Sequence, residues 1–287
     1  MSDGINVLSL FDGMSCGQIS LERAGIKVNN YFASEINQYA IKVTQNNYPN
    51  TIQIGDITQI RGSDLPKIDL LIGGSPCQGF SFCGKQLNFE DPRSKLFFEY
   101  VRLWKEINPT YFLLENVRMR KEYQDVISEN MGTQPIEIDS RLVSAQKRRR
   151  LYWTNIPNII QPEDRKVYLK DILIERDKLT DFDIPSEARI NYILRRASKG
   201  WVKKGWNTID TEKAECLTAA SYKNLKEYVY EDEHGLRFLS FIELERLQTV
   251  PDDYTKYVSK AHRIEMLGNG WTVDVIVHIL SHIKNYK

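Results

Sequence analysis

The chain has 287 residues, of which 41 % are hydrophobic and 27 % are charged, and its formal net charge is +1. This composition is typical of a globular protein, and the chain is long enough for one large domain and a smaller lobe, so a disordered chain is not expected. The nearly neutral charge argues against a protein that coats nucleic acid nonspecifically through bulk charge. The sequence contains neither a signal-peptide pattern nor an apolar run near the roughly 20 residues of a membrane span, so we expect a cytoplasmic protein.

The four cysteines do not follow a disulfide or metal-binding pattern. Cys16, Cys77, Cys83 and Cys216 are scattered along the chain without a C-x-x-C pair. Such spacing suggests neither a disulfide framework nor a zinc site. We therefore expect reduced thiols and no bound metal.

The first half of the chain alternates predicted strands with predicted helices. The strands are residues 5–10, 31–34, 68–72 and 111–114, and the helices are residues 17–24, 38–48 and 94–107. This alternation predicts an α/β fold with a mostly parallel sheet and helices on both faces.

The chain divides into three predicted regions. Residues 1–160 contain the alternating elements, whereas residues 161–238 lose this rhythm and are predicted to form a small separate lobe. In residues 239–287 the helical periodicity returns, and we expect the apolar face of the last helix to pack back on the sheet. That face consists of Val273, Ile276, Val277 and Leu280.

Two stretches concentrate positive charge. Residues 147–150 are four consecutive basic residues, and residues 189–206 interleave arginines and lysines with two tryptophans. Such stripes can follow a phosphate backbone. Composition alone favours the simpler interpretation, a solvated charged surface.

The turn after the first strand, residues 11–17, opens a helix, and glycines there let a backbone approach a ligand closely. Glu35 follows the second strand, where a carboxylate can accept hydrogen bonds from ribose hydroxyls. Residues 55–57 offer a carboxylate and an apolar side chain for an adenine. The turn lacks the full G-x-G-x-x-G spacing, and Asp12 would repel phosphate. The predicted ligand is therefore an adenosine derivative without phosphates, and S-adenosylmethionine fits this description.

Two further strand ends carry reactive side chains. The run of residues 68–72 breaks at two glycines and delivers Cys77 into a loop, at the edge where open parallel sheets bind ligands. A lone cysteine is commonly a small buried hydrophobe, but the neighbouring Ser75 and Pro76 are poor core residues. Glu115 ends the strand of residues 111–114. Because two such strand ends are predicted to face one crevice, we interpret Glu115 as a second catalytic group and not as a solvated carboxylate.

Six segments, in this order, resemble the motifs of the DNA (cytosine-5) methyltransferases. They are Phe11-Asp12-Gly13, Gly55-Asp56-Ile57, Pro76-Cys77-Gln78, Glu115-Asn116-Val117, residues 146–150 and Gly268-Asn269-Gly270. The resemblance spans nearly the whole chain outside residues 160–235. Residues 11–14 and 143–153 look closest to the de novo branch of eukaryotic enzymes, whereas the length resembles a compact prokaryotic or viral enzyme.

The resemblance implies a covalent mechanism on a cytosine that is flipped out of duplex DNA. Cys77 would attack ring carbon 6, Glu115 would bind or protonate ring nitrogen 3, and Arg150 would hold the exocyclic oxygen. Arg148 would support the catalytic loop or the thiolate. The residues implied for S-adenosylmethionine are Phe11, Asp12, Gly13, Met14, Ser15, Cys16, Glu35, Asp56, Ile57, Pro76, Asn269, Gly270 and Trp271.

The resemblance also implies double-stranded DNA as the partner, bound by a monomer, with residues 161–238 as the target-recognition lobe. The implied DNA contacts are Gln78, Ser81, Cys83, Arg93, Gln146, Lys203 and Lys204. Two alternatives remain: an RNA cytosine methyltransferase, because one branch of the family modifies transfer RNA, and a non-catalytic DNA-binding regulator. The presence of all four catalytic residues argues against the regulator. The target sequence and the existence of a cognate restriction endonuclease stay open.

Overall fold

The computed structural model describes residues 4–76, 92–180, 183–198, 206–221 and 229–283, with only the backbone at residues 92–94 and 196–197. The chain forms two compact units. Unit 1 contains Met1–Asp139, Arg149–Pro162 and Val275–Lys287, and unit 2 contains Ser140–Arg148 and Glu163–Asp274. The predicted lobe, residues 161–238, falls largely in unit 2, which also includes residues 140–148 and 239–274.

Unit 1 is built on a seven-stranded mixed sheet in the order β3-β2-β1-β4-β5-β7-β6. The strands are β1 (Ile5–Leu10), β2 (Val28–Ser34), β3 (Ile52–Gln53), β4 (Leu70–Gly74), β5 (Tyr111–Val117), β6 (Ile136–Asp139) and β7 (Arg149–Thr154). The first five strands are parallel, and β7 runs antiparallel to both of its neighbours. The predicted α/β class with a mostly parallel sheet is confirmed.

The helices of the first half are α1 (Cys16–Arg23), α2 (Gln38–Asn47), α3 (Pro92–Ile107) and α4 (Lys121–Met131). Asn37 begins α2 by accepting a hydrogen bond from the backbone N–H of Tyr39 at 2.9 Å, as an N-cap does. Gly132 ends α4 in the left-handed conformation with φ of 66°, which glycine adopts without steric cost. Leu71, Phe97 and Trp153 are fully buried in the core of this unit.

Strand β7 was not predicted from the sequence. Its first two residues, Arg149 and Arg150, belong to the basic run that masks the strand pattern, while Leu151, Tyr152 and Trp153 behind them are buried. Arg149 Nε donates to Asp139 Oδ2 across the β6–β7 pair at 3.2 Å. The run of residues 147–150 is thus partly the start of a strand.

The described residues of unit 2 include a small sheet and the helices α5 (Glu187–Ser198), α6 (Phe241–Leu247) and α7 (Lys260–Asn269). The sheet has the order β10-β9-β8, with β8 (Asn207–Thr208), β9 (Val229–Asp232) and β10 (Gly235–Phe238). Two fully buried glutamates of α6 are paired with arginines, Glu243 with Arg237 and Glu245 with Arg263.

The last helix, α8 (Val273–Leu280), begins in unit 2 and continues into unit 1. Its buried side chains are Val273, Val275, Ile276, Ile279 and Leu280. Val277, which was predicted to be part of the apolar face, is only half-buried. Among the described residues, no helix combines the length and the apolar character that crossing a membrane requires.

Candidate active site

The turn that follows β1 holds its backbone in an uncommon conformation. Phe11, Gly13 and Ser15 all have positive φ, of 56°, 59° and 60°. For residues other than glycine this costs about 1–3 kcal/mol each, and such strain persists where the surroundings fix it, often at ligand sites. A Cβ added at Gly13 would meet no atom within 4 Å. The space beside Gly13 in this turn is therefore free of other atoms of the described chain.

Glu35, at the end of β2, fastens this turn. Its Oε2 accepts a hydrogen bond from the backbone N–H of Gly13 at 2.8 Å, and its Oε1 accepts from those of Ile36 and Asn37, both at 2.8 Å. A carboxylate has about four acceptor positions, so Glu35 can still accept from a ribose hydroxyl. The structure thus brings together two of the segments implied for the cofactor.

Ile36 is a candidate that sequence reasoning missed. Its side chain is 69 % exposed, directly after Glu35. A large apolar side chain beside the carboxylate that is predicted to bind the ribose offers a face to a purine base. One apolar residue between polar neighbours carries no periodic signal, and only its exposure in the fold identifies it.

Asp12 turns its carboxylate toward β2 and α1. Oδ1 accepts a hydrogen bond from the Tyr31 hydroxyl at 2.7 Å, and Oδ2 accepts from the Ser15 hydroxyl. Burial raises the pKa of Asp12 to about 6, against the lowering effect of these hydrogen bonds. The carboxylate is therefore already bound within the fold.

Three other residues implied for the cofactor are buried at the start of α1. Met14, Ser15 and Cys16 are at most 4 % exposed. Their side chains belong to the interior, so a ligand in the turn can reach only their backbone.

The segment Gly55-Asp56-Ile57 lies beside the end of β2. The Ser34 hydroxyl donates to the Gly55 carbonyl at 2.8 Å, and exposed Asp56 accepts from the backbone N–H of Thr58 at 2.9 Å. Ile57 is only 4 % exposed and belongs to the core cluster of unit 1. Packing in the core explains the burial of Ile57. The stacking of Ile57 on an adenine stays a prediction.

The end of β4 leads to the predicted nucleophile. A Cβ at Gly73 would lie 2.8 Å from the Leu10 carbonyl oxygen, so glycine lets the ends of β1 and β4 approach. Asn116 Nδ2 donates to Ser75 Oγ at 3.1 Å. It thereby fixes the chain two residues before Cys77, which lies outside the described residues. Sequence reasoning gave Asn116 no separate role.

Glu115 and Arg150 form an ion pair on the sheet. Arg150 Nε lies 3.0 Å from Glu115 Oε1, and the two side chains are only 14 % and 12 % exposed. Glu115 pairs with Tyr152 in the register of β5 and β7, and Arg150 pairs with Val117. The two side chains are therefore diagonal neighbours on one face. The structure brings these two predicted catalytic residues together.

The contacts of Arg148 differ from those expected for its predicted catalytic role. It is 3 % exposed within unit 2. Its guanidinium donates to the carbonyls of Leu217, Gly268 and Gly270 at 2.7, 3.0 and 2.8 Å. Buried carbonyls need such donors, so these contacts make Arg148 a residue that holds the end of α7.

Gln146 was predicted to contact DNA, and its burial contradicts this. The side chain is fully buried. Its Nε2 donates to the Leu247 carbonyl at 2.8 Å and to Gln248 Oε1 at 2.9 Å, and its Oε1 accepts from the Leu217 N–H at 3.0 Å. Both ends of the amide are used inside unit 2, so Gln146 has a packing role there.

The remaining residues of the predicted site lie at the end of α7, after β4, in α3 or outside the described residues. Asn269 is exposed, and Gly270 and Trp271 are half-buried, all in unit 2. Their cofactor contacts stay predictions, as does that of half-buried Pro76. Of Arg93 only the backbone in α3 is described. The predicted residues outside the described ranges are Cys77, Gln78, Ser81, Cys83, Lys203 and Lys204.

The family model for C-5 cytosine-specific DNA methylase matches residues 5–158 and 128–285. The chain belongs to this family. The Type II methyltransferase M1.ScrFI of Lactococcus lactis subsp. cremoris is 30 % identical over 300 residues, with 94 % of this chain and 75 % of the relative covered. The Type II methyltransferase M.NlaX of Neisseria lactamica is 30 % identical over 302 residues, with 97 % and 96 % covered.

The fold of this C-5 cytosine methylase family member is also found among solved structures. The Entamoeba histolytica methyltransferase EhMeth matches with a TM-score of 0.80, 19 % identity and 97 % of both chains covered. At this identity the likeness concerns the fold alone. The family assignment rests on the family model and on the two curated relatives.

Proposed function

We propose that this protein transfers a methyl group from S-adenosylmethionine to carbon 5 of a cytosine flipped out of duplex DNA, through a covalent adduct with Cys77. The observation that supports this most directly is the sheet register. Gly74, three residues before Cys77, is the register partner of Glu115 in β5, and the Glu115 side chain forms an ion pair with Arg150. In the sequence, Cys77 thus follows closely on the strand end where a half-buried carboxylate and a guanidinium meet.

The ends of β1, β2 and β3 fit a nucleoside that carries no phosphate. An open glycine turn, the carboxylates of Glu35 and Asp56, and exposed Ile36 lie along them. Carboxylates would repel phosphate groups. S-adenosylmethionine, when bound, supplies an electrophilic methyl group on a sulfonium.

The protein's own residues would make the base reactive. Carbon 5 of cytosine is a weak nucleophile, and attack of the Cys77 thiolate on carbon 6 moves electron density onto it. Glu115 would share a proton with ring nitrogen 3 and so neutralise the adduct's negative charge. Arg150 orients the Glu115 carboxylate and would hold the exocyclic oxygen. After methyl transfer a base removes the carbon 5 proton, and Cys77 leaves.

Bisulfite sequencing of plasmid DNA from a methylation-free host tests this proposal and finds the target sequence. We expect methylated cytosines with the wild-type protein and none with Cys77→Ala, which should still bind DNA. Methyl transfer to purified duplex DNA and to transfer RNA is then compared. Transfer to RNA alone would select the RNA alternative, and DNA binding without any transfer would indicate a regulator.

The assembly on DNA is a further part of the proposal. We infer a monomer on DNA, which sedimentation of the complex with a short duplex tests. The curated relatives named Type II methyltransferases support a companion restriction endonuclease. A search of source-cell extracts for cleavage of unmethylated DNA at the target sequence, with methylated DNA as the uncut control, would test that partner.

A further inference from the structure

The end of α7 carries the only Asn-Gly pair of the sequence, Asn269-Gly270. Asn269 is the last residue of the helix, and it is exposed. Asparagine is one of the thermolabile residues, and a following glycine has no side chain that would hinder attack by its backbone nitrogen. In an unfolded chain this pair is therefore the position where spontaneous deamidation meets the least steric hindrance.

Deamidation at this pair needs only the chain and water, and it does not depend on the methyl transfer proposed above. The Gly270 nitrogen gives up its proton and bonds to the side-chain carbon Cγ of Asn269. The bond from Cγ to the amide nitrogen breaks, and ammonia leaves. Water then opens the resulting five-membered imide at either of its two carbonyls. The product is aspartate, or isoaspartate, in which the main chain is longer by one methylene group.

The folded end of α7 opposes the first step in two ways. The Gly270 N–H donates to the Met266 carbonyl at 2.7 Å, as a helical N–H does, and the nitrogen keeps its proton in this bond. Ring closure also needs the Cβ of Asn269 to eclipse the Gly270 nitrogen, and a helical ψ of about −42° prevents this. The end of α7 must therefore open before the ring can form.

Buried side chains hold the peptide groups on both sides of Asn269. Arg148 NH2 donates to the Gly268 carbonyl at 3.0 Å and to the Gly270 carbonyl at 2.8 Å. Gln248 Nε2 also lies 3.3 Å from the Gly270 carbonyl oxygen. Arg148 is 3 % exposed and Gln248 is fully buried. Opening of the helix end leaves these buried donors without their acceptors, which is costly.

We propose that Asn269 is a conformationally gated deamidation site, protected while Arg148 and Met266 bind the end of α7 and reactive when that end opens. The reaction fixes the open state. Arg148 bonds the Gly268 and Gly270 carbonyls across a single residue, and isoaspartate in place of Asn269 lengthens that span. Aspartate instead adds a negative charge at the C-terminus of a helix, where the helix dipole disfavours it. Both products therefore weaken this part of unit 2 irreversibly.

Mass spectrometry of peptides that contain Asn269, after incubation at mildly alkaline pH, tests the proposal. We expect the native protein to stay unmodified while the chain unfolded in urea deamidates. In urea, Gly270→Ala should deamidate much more slowly, because its methyl group hinders the attack. Under native conditions, Arg148→Met should deamidate at least about tenfold faster than the wild-type protein, because two buried hydrogen bonds are lost. Lys178→Met is the control, since its side chain is exposed in unit 2, and its rate should equal that of the wild-type protein.

Hydrogen exchange of the Gly270 amide gives a readout that needs no variant. Exchange and deamidation both require the bond to Met266 to break, so both rates should rise by the same factor at low urea concentrations. This comparison decides the matter if circular dichroism shows that Arg148→Met does not fold. Equal deamidation of native and unfolded wild-type protein, or a deamidation rate that does not follow Gly270 exchange, overturns the proposal. A folded Arg148→Met with the wild-type rate, or a Gly270→Ala as fast as wild type in urea, overturns it as well.

Discussion

Replacement of Arg237 by methionine should destabilise unit 2 strongly, because it leaves a buried carboxylate without its partner. Glu243 is fully buried and Arg237 is 4 % exposed. Two parallel hydrogen bonds join them, from NH1 to Oε2 and from NH2 to Oε1, both at 2.9 Å. Arg237 also lies over the Tyr230 ring, 4.7 Å from its centroid. Methionine fills part of this volume but donates no hydrogen bond.

The expected loss lies near 3 kcal/mol, the lower end of the range of about 3–5 kcal/mol for breaking a buried ion pair. The lower end applies because Glu243 keeps two backbone donors, the N–H of Ser240 at 2.6 Å and that of Ile174 at 3.0 Å. In Arg237→Met combined with Glu243→Gln, the buried charge is removed, and the single amide oxygen still accepts from one of these two donors, which bond different oxygens of Glu243. We therefore expect the double variant to recover part of the lost stability.

Urea denaturation of the full chain, followed by hydrogen exchange of the β10 and α6 amides, measures this effect. With a slope of about 1–3 kcal/mol per molar urea, the midpoint should fall by about 1–3 M. Lys178→Met is the control, since its pair with Glu175 is exposed on both sides, and its midpoint should not change. A double variant no more stable than Arg237→Met would refute the reasoning, because the loss would then not come from an unpaired buried charge.

Three other substitutions have definite expected outcomes. Tyr100→Phe should leave the melting temperature unchanged or raise it, because the buried hydroxyl has no hydrogen-bond partner in the described part of the chain. Burying such a hydroxyl costs about 1–3 kcal/mol. A clear decrease in the melting temperature would show that the hydroxyl has a partner. Asn116→Ala should slow single-turnover methyl transfer up to about 100-fold without changing cofactor affinity, because Ser75 loses its anchor; an unchanged rate would exclude this positioning role. Gly268→Ala should unfold unit 2 in hydrogen exchange, since its Cβ would lie 2.1 Å from the Thr218 backbone, and native protection would contradict this packing.

The elements with clear periodicity could be predicted from the sequence, and those that depend on distant partners could not. The strand of residues 5–10 agrees with β1, because its apolar run ends at a turn signal. β7 was missed because Arg149 and Arg150 are typical of a surface run, and only their pairing with β6 and β5 makes them part of a strand. Tertiary structure overrides local composition here.

The same distinction applies to the candidate site. The motif positions of Gln146 and Arg148 were visible in the sequence, but their burial depends on backbone N–H and carbonyl groups that lie about 70 to 120 residues further along the chain. The inward orientation of Asp12 likewise requires Tyr31 from the next strand. A resemblance locates such residues, and the folded chain decides whether each side chain meets a ligand or the interior.

The direction of β7 explains why residues far apart in the sequence meet at Glu115. Parallel strands bring their carboxyl ends to one edge of a sheet, so the ends of β4 and β5 are neighbours. β7 is antiparallel to β5, and its first residues therefore lie where β5 ends. A parallel β7 would carry Arg150 to the opposite edge, about 20 Å away for a strand of this length. The antiparallel insertion of one strand thus supplies the guanidinium to the strand ends that hold the carboxylate and lead to the thiol.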